Sequence, residues 1–200
     1  MIRYAAELQS IAQAGLHYGK DIYDRERYAR IREIAAEIIA HSSDLPLEKV
    51  TEIFCADSGY QTPKVDTRAA VFRDGKILLV RESDGRWALP GGWCEFNLSP
   101  VKNTIKEVRE EAGRDVEVSS LIAVLNRNDH NPPPYAYGVV KIFYLCTETG
   151  GEFHKNSETT AADYFAEDSL PPFAEEKCTA EQVHMCFRAL RSPDRGVVFD

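Results

Sequence analysis

Residues 89–114 read LPGGWCEFNLSPVKNTIKEVREEAGR. The stretch opens on Leu89-Pro90-Gly91-Gly92, a loop signal. Ser99-Pro100 then pairs a capping residue with a proline at the first helical position, and Gly113 supplies a stop. Together they predict a helix over residues 99–112. Glu107, Glu110 and Glu111 fall at i, i+3 and i+4, which projects three carboxylates from one helical face within about one turn. Like charges at this spacing cost a helix about 0.2–0.5 kcal/mol per pair, and a cation relieves the crowding. Oxygen-only ligands favour a hard ion, Mg²⁺ or Mn²⁺. An isolated E-x-x-E-E also reads as a solvated acidic face, so the preceding loop carries the argument. Its glycine pair, Gly91 and Gly92, lets the backbone approach other groups closely, and a loop entering a helix has free N–H donors. The loop and helix together suit a metal-bound pyrophosphate.

Upstream of this stretch lies a hairpin signal. Residues 65–72 and 76–81 are β-rich runs joined by Arg73-Asp74-Gly75. Downstream, residues 116–125, 137–147 and 161–166 read as strands and residues 179–190 as a closing helix. The first sixty residues read as helical. Leu8, Ile11, Ala12, Gly15 and Leu16 define one face of a first helix ending near Gly19. Asp24 is expected to cap a second, with Tyr28, Ile31, Ile34, Ala35, Ile38 and Ile39 inward. Asp44 and Pro46 open a third, with Leu47, Val50, Ile53 and Phe54. The expected division is a helical segment, 1–60, for dimerisation or as a lid, ahead of an α/β domain, 61–200.

Composition bounds the alternatives. The 200 residues carry 44% hydrophobic and 28% charged side chains, a globular balance that excludes disorder, collagen and coiled coil. No apolar run approaches the length of a membrane helix, and Glu7 and Gln9 interrupt any signal-peptide core, so a cytoplasmic protein is expected. A formal net charge of −8 disfavours non-specific nucleic-acid binding, which depends on positive charge. Five cysteines with no C-x-x-C pair read as reduced thiols rather than as a disulfide framework or a zinc site.

Aligned on Gly92, the stretch resembles the Nudix box, G-x5-E-x7-R-E-U-x-E-E-x-G-U with U aliphatic. The spacing is intact over 23 positions and Glu107, Glu110 and Glu111 match. Leu98 replaces the first glutamate, Lys106 the arginine and Arg114 the last aliphatic residue. Residues 23–28 (YDRERY), 59–66 (GYQTPKVD) and 126–133 (NRNDHNPP) are similar to a bacterial Nudix subfamily with a helical N-terminal extension that includes CDP-choline pyrophosphatases. The resemblance implies an α/β fold of Nudix type: an α/β/α sandwich with a mixed sheet, behind the small helical segment. It also implies Mg²⁺- or Mn²⁺-dependent hydrolysis of a nucleoside diphosphate linked to another moiety, in a homodimer. CDP-choline-like or nucleotide-sugar-like substrates are expected first. ADP-ribose or an RNA 5′ end, or a nucleotide-sensing module without catalysis, is the alternative.

The resemblance assigns Glu107, Glu110 and Glu111 to catalysis and metal binding. Glu158, before the strand at Ala161, is the positional candidate for a fourth metal ligand, against an exposed loop acid. The two missing buttress residues are offset by packing of Leu98. Arg68 and Arg81 are candidate phosphate ligands, each equally readable as a strand-edge ion pair. Asn128 and His130 lie in a long proline-ended loop suited to shaping a substrate pocket, with a surface role as the alternative for His130. Trp87 and Trp93 read as base-stacking or core residues.

Overall fold

The computed structural model describes residues 1–42, 46–156, 158–192 and 196–200, without the side chain of Ile53. The chain forms two compact units, Met1–Pro63 with Pro134–Gly138, and Lys64–Pro133 with Val139–Asp200.

The first unit holds α1 (Ile2–Tyr18), α2 (Ile22–His41) and α3 (Leu47–Phe54). Its core is Ala5, Ala35, Ala36, Ile39, Val50 and Phe54. The inward face of α1 differs from the expected one: Ala5, Gln9, Ala12 and Gln13 are buried, whereas Ile11 is 52% exposed. The reason is polar. Gln9 Nε2 donates to the Phe54 carbonyl at 3.1 Å and Gln13 Nε2 to the Gly59 carbonyl at 3.0 Å, satisfying backbone groups that burial would otherwise orphan. The cap of α2 is Asp21, whose carboxylate accepts from the Tyr23 and Asp24 backbone N–H groups. Asp24, the expected cap, sits inside the first turn and pairs with Arg27 at 2.7 Å. Asp44 lies outside the described residues.

The second unit is a mixed sheet between helices. Its elements are β1 (Lys64–Arg73), β2 (Lys76–Arg81), β3 (Trp87–Ala88), α4 (Pro100–Ala112), β4 (Arg114–Asn126), the short α5 (Arg127–His130), β5 (Val139–Gly151), β6 (Ala161–Phe165), α6 (Ala180–Arg191) and β7 (Val198–Phe199). The strand order is β3-β2-β1-β5-β4-β7, with β6 paired to β2. β1 runs parallel to β5 and antiparallel to β2. The β1–β2 hairpin closes at Asp74-Gly75, both at positive φ, as the two-residue turn demands.

Helices cover both faces of the sheet, and the strand sequences show why. Ile77-Leu78-Leu79-Val80 is apolar without alternation, and all four residues are fully buried. Leu78 and Val80 face Ala69, Val71 and the α4 residues Val108 and Ala112. Ile77 and Leu79 face Ala70, Phe143 and the α6 residues Val183, Cys186 and Phe187. This is the expected α/β/α arrangement. No helix among the described residues is long and apolar enough to cross a membrane.

Helix α4 ends in Gly113, which has a left-handed backbone (φ +62). A Cβ there would lie 2.2 Å from the Glu152 carbonyl oxygen. Gly113→Ala therefore combines backbone strain with a clash, and is expected to lose about 1–3 kcal/mol. The denaturant midpoint of the variant measures this loss.

Candidate active site

Helix α4 is placed by its ends and by one apolar stripe. The Ser99 hydroxyl accepts from the Lys102 N–H at 3.3 Å, with proline at the first helical position. Asn103 is fully buried: its Nδ2 donates to Thr67 Oγ1 at 3.0 Å and its Oδ1 accepts from the Glu95 N–H at 3.1 Å. Val108 and Ala112 seat the helix on the sheet. Two of the three glutamates are thereby turned toward the protein. Glu111 is 7% exposed and Glu107 is largely covered, while the Glu110 side chain stands in solvent.

What they meet is the glycine loop, which runs beside β1 like an extra strand. Ala69 N–H donates to the Pro90 carbonyl and Thr67 N–H to the Gly92 carbonyl, both at 2.9 Å, and Cys94 N–H donates to the Val65 carbonyl at 2.8 Å. Gly91 has φ +139, and a Cβ on it would fall 1.9 Å from the Thr67 carbonyl oxygen, so no other residue fits. Its N–H donates to Glu111 Oε2 at 2.7 Å. A Cβ on Gly92 would meet Glu107 Oε2 at 3.1 Å. The glycine pair thus lies against two of the carboxylates.

These carboxylates are costly to ionise. Burial pushes Glu111 up to about 7, against the opposing pull of Arg68 and of the Gly91 N–H. Burial also raises Glu107; Lys106 opposes the shift, and the charges of Glu110 and Glu158 add to it. Lys106 acts as the local counter-ion, with Nζ 2.5 Å from Glu110 Oε2, 3.3 Å from Glu95 Oε1 and 3.8 Å from Glu107 Oε1. Among the described residues, no three acidic, histidine or cysteine groups converge closely enough to enclose an ion. The donor set fits a hard divalent cation in chemistry. It is all oxygen, and Glu107 and Glu111 sit at the cost of burial and mutual repulsion that such an ion would offset.

Glu158 is exposed, and its charge acts on Glu107. Its placement depends on two residues that sequence reasoning missed. Asn156 Nδ2 donates to the Glu110 carbonyl at 2.8 Å, and the buried Thr159 hydroxyl donates to the Glu111 carbonyl at 2.6 Å. Both bonds satisfy carbonyls that the end of a helix leaves open. Nothing local in the sequence indicates that Asn156 and Thr159 clasp α4.

The remaining candidates are placed differently. Arg68 is buried and turned to Asp66 at 2.9 Å and to the Leu89 carbonyl at 3.1 Å, so its guanidinium is engaged inside the protein rather than offered to a phosphate. Arg81 is exposed, with Nε 3.4 Å from the Gly85 carbonyl. His130 Nε2 lies 2.6 Å from Asp200 Oδ1, and Asn128 Oδ1 accepts from Arg127 at 3.2 Å. Neither touches Glu107 or Glu111 among the described contacts. The register nonetheless brings α5 to the same end of the sheet as the loop: Asn126 opposes Val140, which opposes Val65, the acceptor for Cys94. Trp87 packs edge-on against Phe165, 4.7 Å between ring centres, whereas Trp93 is half-exposed beside the loop.

The sign of the Glu111 shift gives a pH test. Its pKa is raised on folding, so the folded state favours the protonated form. That contribution is present below the usual carboxylate value of about 4.5 and is lost as pH rises to about 7. In metal-free protein, Glu111→Gln is therefore expected to raise Tm relative to the parent at pH 8, and to change it much less at pH 5. Melting curves at both pH values check this.

The fold agrees with comparisons to known proteins. Residues 62–185 match the model of the NUDIX domain, and residues 1–54 match a UDP-X-like, N-terminal oligomerisation domain. A Bacillus subtilis (strain 168) protein, YjhB, provisionally named an ADP-ribose pyrophosphatase, is 46% identical over 98% of this chain and 95% of its own. The crystal structure of an ADP-ribose pyrophosphatase from Streptococcus suis is 50% identical, covers 70% of this chain and 100% of its own, and has a TM-score of 0.65. That of a UDP-X diphosphatase is 35% identical over 100% of this chain and 97% of its own, with a TM-score of 0.66. The loop, the helix and the relatives therefore lead to one assignment: this chain belongs to the Nudix hydrolase family and carries an N-terminal segment of the UDP-X-like oligomerisation type.

Proposed function

We propose that this protein hydrolyses the pyrophosphate bond of a nucleoside diphosphate linked to a second, sugar-like moiety, and that ADP-ribose and UDP-linked compounds are its foremost substrates. One observation carries the reading: buried Glu111 held by the Gly91 N–H, with Glu107 beside Gly92, on a helix entered from a glycine loop. The names of the relatives support this order of substrates over CDP-choline, which stays in the same chemical class. Glu107, Glu110, Glu111 and Glu158 are the groups that would hold Mg²⁺ or Mn²⁺. When bound there, such an ion would supply positive charge to offset that of the pyrophosphate oxygens and would favour ionisation of the attacking water. Gly91 and Gly92 keep the backbone thin where the substrate would approach, and the region around Asn128 and His130 lies at the same end of the sheet. Arg68 supports the loop from within and is not proposed as a phosphate ligand.

The test is hydrolysis of ADP-ribose, UDP-glucose, CDP-choline and a 5′-triphosphate RNA with Mg²⁺ or Mn²⁺, beside Glu110→Gln and Glu111→Gln. Cleavage of the first two is expected, with kcat falling about 100-fold or more in Glu111→Gln. Nucleotide binding by the parent without cleavage of any compound would make the protein a sensor instead.

The N-terminal helices are proposed to join two copies of the chain. This unit leaves Ile11, Tyr18, Ile22 and Tyr23 in solvent and has an open groove of about 540 Å³, where Leu16, Ala29, Ala36 and Leu47 lie among Arg32, Glu33 and Glu37. These exposed apolar side chains, with the match of residues 1–54 to an oligomerisation domain, support this reading. Ile22→Glu alters an exposed position and is expected to shift the mass measured by sedimentation from dimer to monomer while leaving the helical signal unchanged.

A further inference from the structure

Below the glycine loop the second unit encloses three charged side chains. Asp66 on β1 opposes Lys141 on the neighbouring β5, and Arg68 lies two residues further along β1. The Asp66 carboxylate accepts from Arg68 Nη2 at 2.9 Å, Arg68 Nε at 3.2 Å and Lys141 Nζ at 2.5 Å. Lys141 is 1% exposed, and Asp66 and Arg68 are also buried. Two cations share one carboxylate here. The buried carboxylate whose charge reaches Arg68 besides Asp66 is Glu111. Burial and the nearby guanidinium push Lys141 down to about 8, which still leaves an ammonium at neutral pH.

Such a cluster is a poor way to stabilise a core, because desolvating ions costs as much as their attraction returns, and apolar side chains of similar volume do as well. Its hydrogen bonds suggest another use. Arg68 Nη1 donates to the Leu89 carbonyl at 3.1 Å, and Lys141 Nζ donates to the Lys177 carbonyl at 2.7 Å. Leu89 stands two residues before Gly91, and the intervening Pro90 carbonyl is held by Ala69 N–H. The loop is thus fixed from beneath immediately before the N–H that meets Glu111.

We propose that Lys141, Asp66 and Arg68 form a positioning device: Lys141 orients the Asp66 carboxylate, Asp66 orients the Arg68 fork, and Arg68 holds the Leu89 carbonyl so that the Gly91 N–H points at Glu111. The consequence for rate rests on the hydrolase reading of Glu111, whereas the placement of Gly91 does not. The test therefore has two readouts. Lys141→Met removes the ammonium at similar length. Arg68→Lys keeps a cation beside Asp66 but loses the planar fork that reaches two acceptors at once. Amide hydrogen exchange at Gly91, followed by NMR with the β2 amides as internal reference, is expected to speed up about 10-fold or more in each variant while β2 stays protected. With ADP-ribose and Mn²⁺, kcat is expected to fall about 10-fold with KM nearly unchanged, the signature of lost orientation rather than lost binding. Gly91 exchange that changes only in step with β2 would overturn the proposal, because the triad would then be structural. If Lys141→Met does not fold, Arg68→Lys decides by the same criterion. Absence of hydrolysis by the parent would remove the hydrolase reading, and Gly91 exchange would still decide the positioning.

Discussion

The hydrogen bond from the Gly91 N–H to Glu111 is the constraint around which the second unit is arranged. It requires a loop backbone at a φ that glycine alone tolerates, packed within a Cβ's width of the Thr67 carbonyl. It also requires α4 to lie close enough for a buried carboxylate to reach that loop. Val108 and Ala112 provide the closeness by inserting between Ala69, Val71, Leu78 and Val80, which β1 and β2 present from one face. A carboxylate in this position resists ionisation, so the fold holds a group whose burial is unfavourable unless something positive is supplied.

The surroundings of that bond show how the departures from the family pattern are absorbed. Lys106 stands where the pattern has arginine and spreads its charge over Glu110, Glu95 and Glu107. A lysine does this as a point charge on a flexible stem, whereas an arginine would lock two partners in a plane. Leu98, in place of the first glutamate, is half-buried, and its N–H closes a turn onto the Glu95 carbonyl. Asn103 then ties that turn to β1 through Thr67. The loop is thus held by neutral hydrogen bonds together with the Lys106–Glu95 ion pair.

The N-terminal unit follows a different logic. Three helices of modest apolar content meet through alanines and two buried glutamines, leaving large apolar side chains outside. A unit this small buries a low fraction of its surface by itself, so a surface that continues to shed apolar area into a partner is physically consistent with its composition.

Much of this was legible in the chain. Ser99, Pro100 and Gly113 fixed the ends of α4, Asp74-Gly75 fixed the hairpin, and residues 76–81 read as its second strand. All of these signals act within a few residues, through capping, turn chemistry and periodicity. Spacing also put Glu107, Glu110 and Glu111 within one turn. It did not say which of them would be buried, because that depends on a loop twenty residues earlier and a turn near residue 159 that closes on the Glu111 carbonyl. Arg68 looked equally suited to a phosphate and to an ion pair; pairing of β1 with β5 put Lys141 beside Asp66 and drew the arginine inward. Asp24 looked like a cap until the path after Gly19 gave that role to Asp21. The sequence alone determined the elements and the carboxylate-bearing helix, since these follow from short-range rules. The tertiary structure decided which charges are enclosed and what each one faces, since burial and electrostatics are set by packing between segments far apart in the chain.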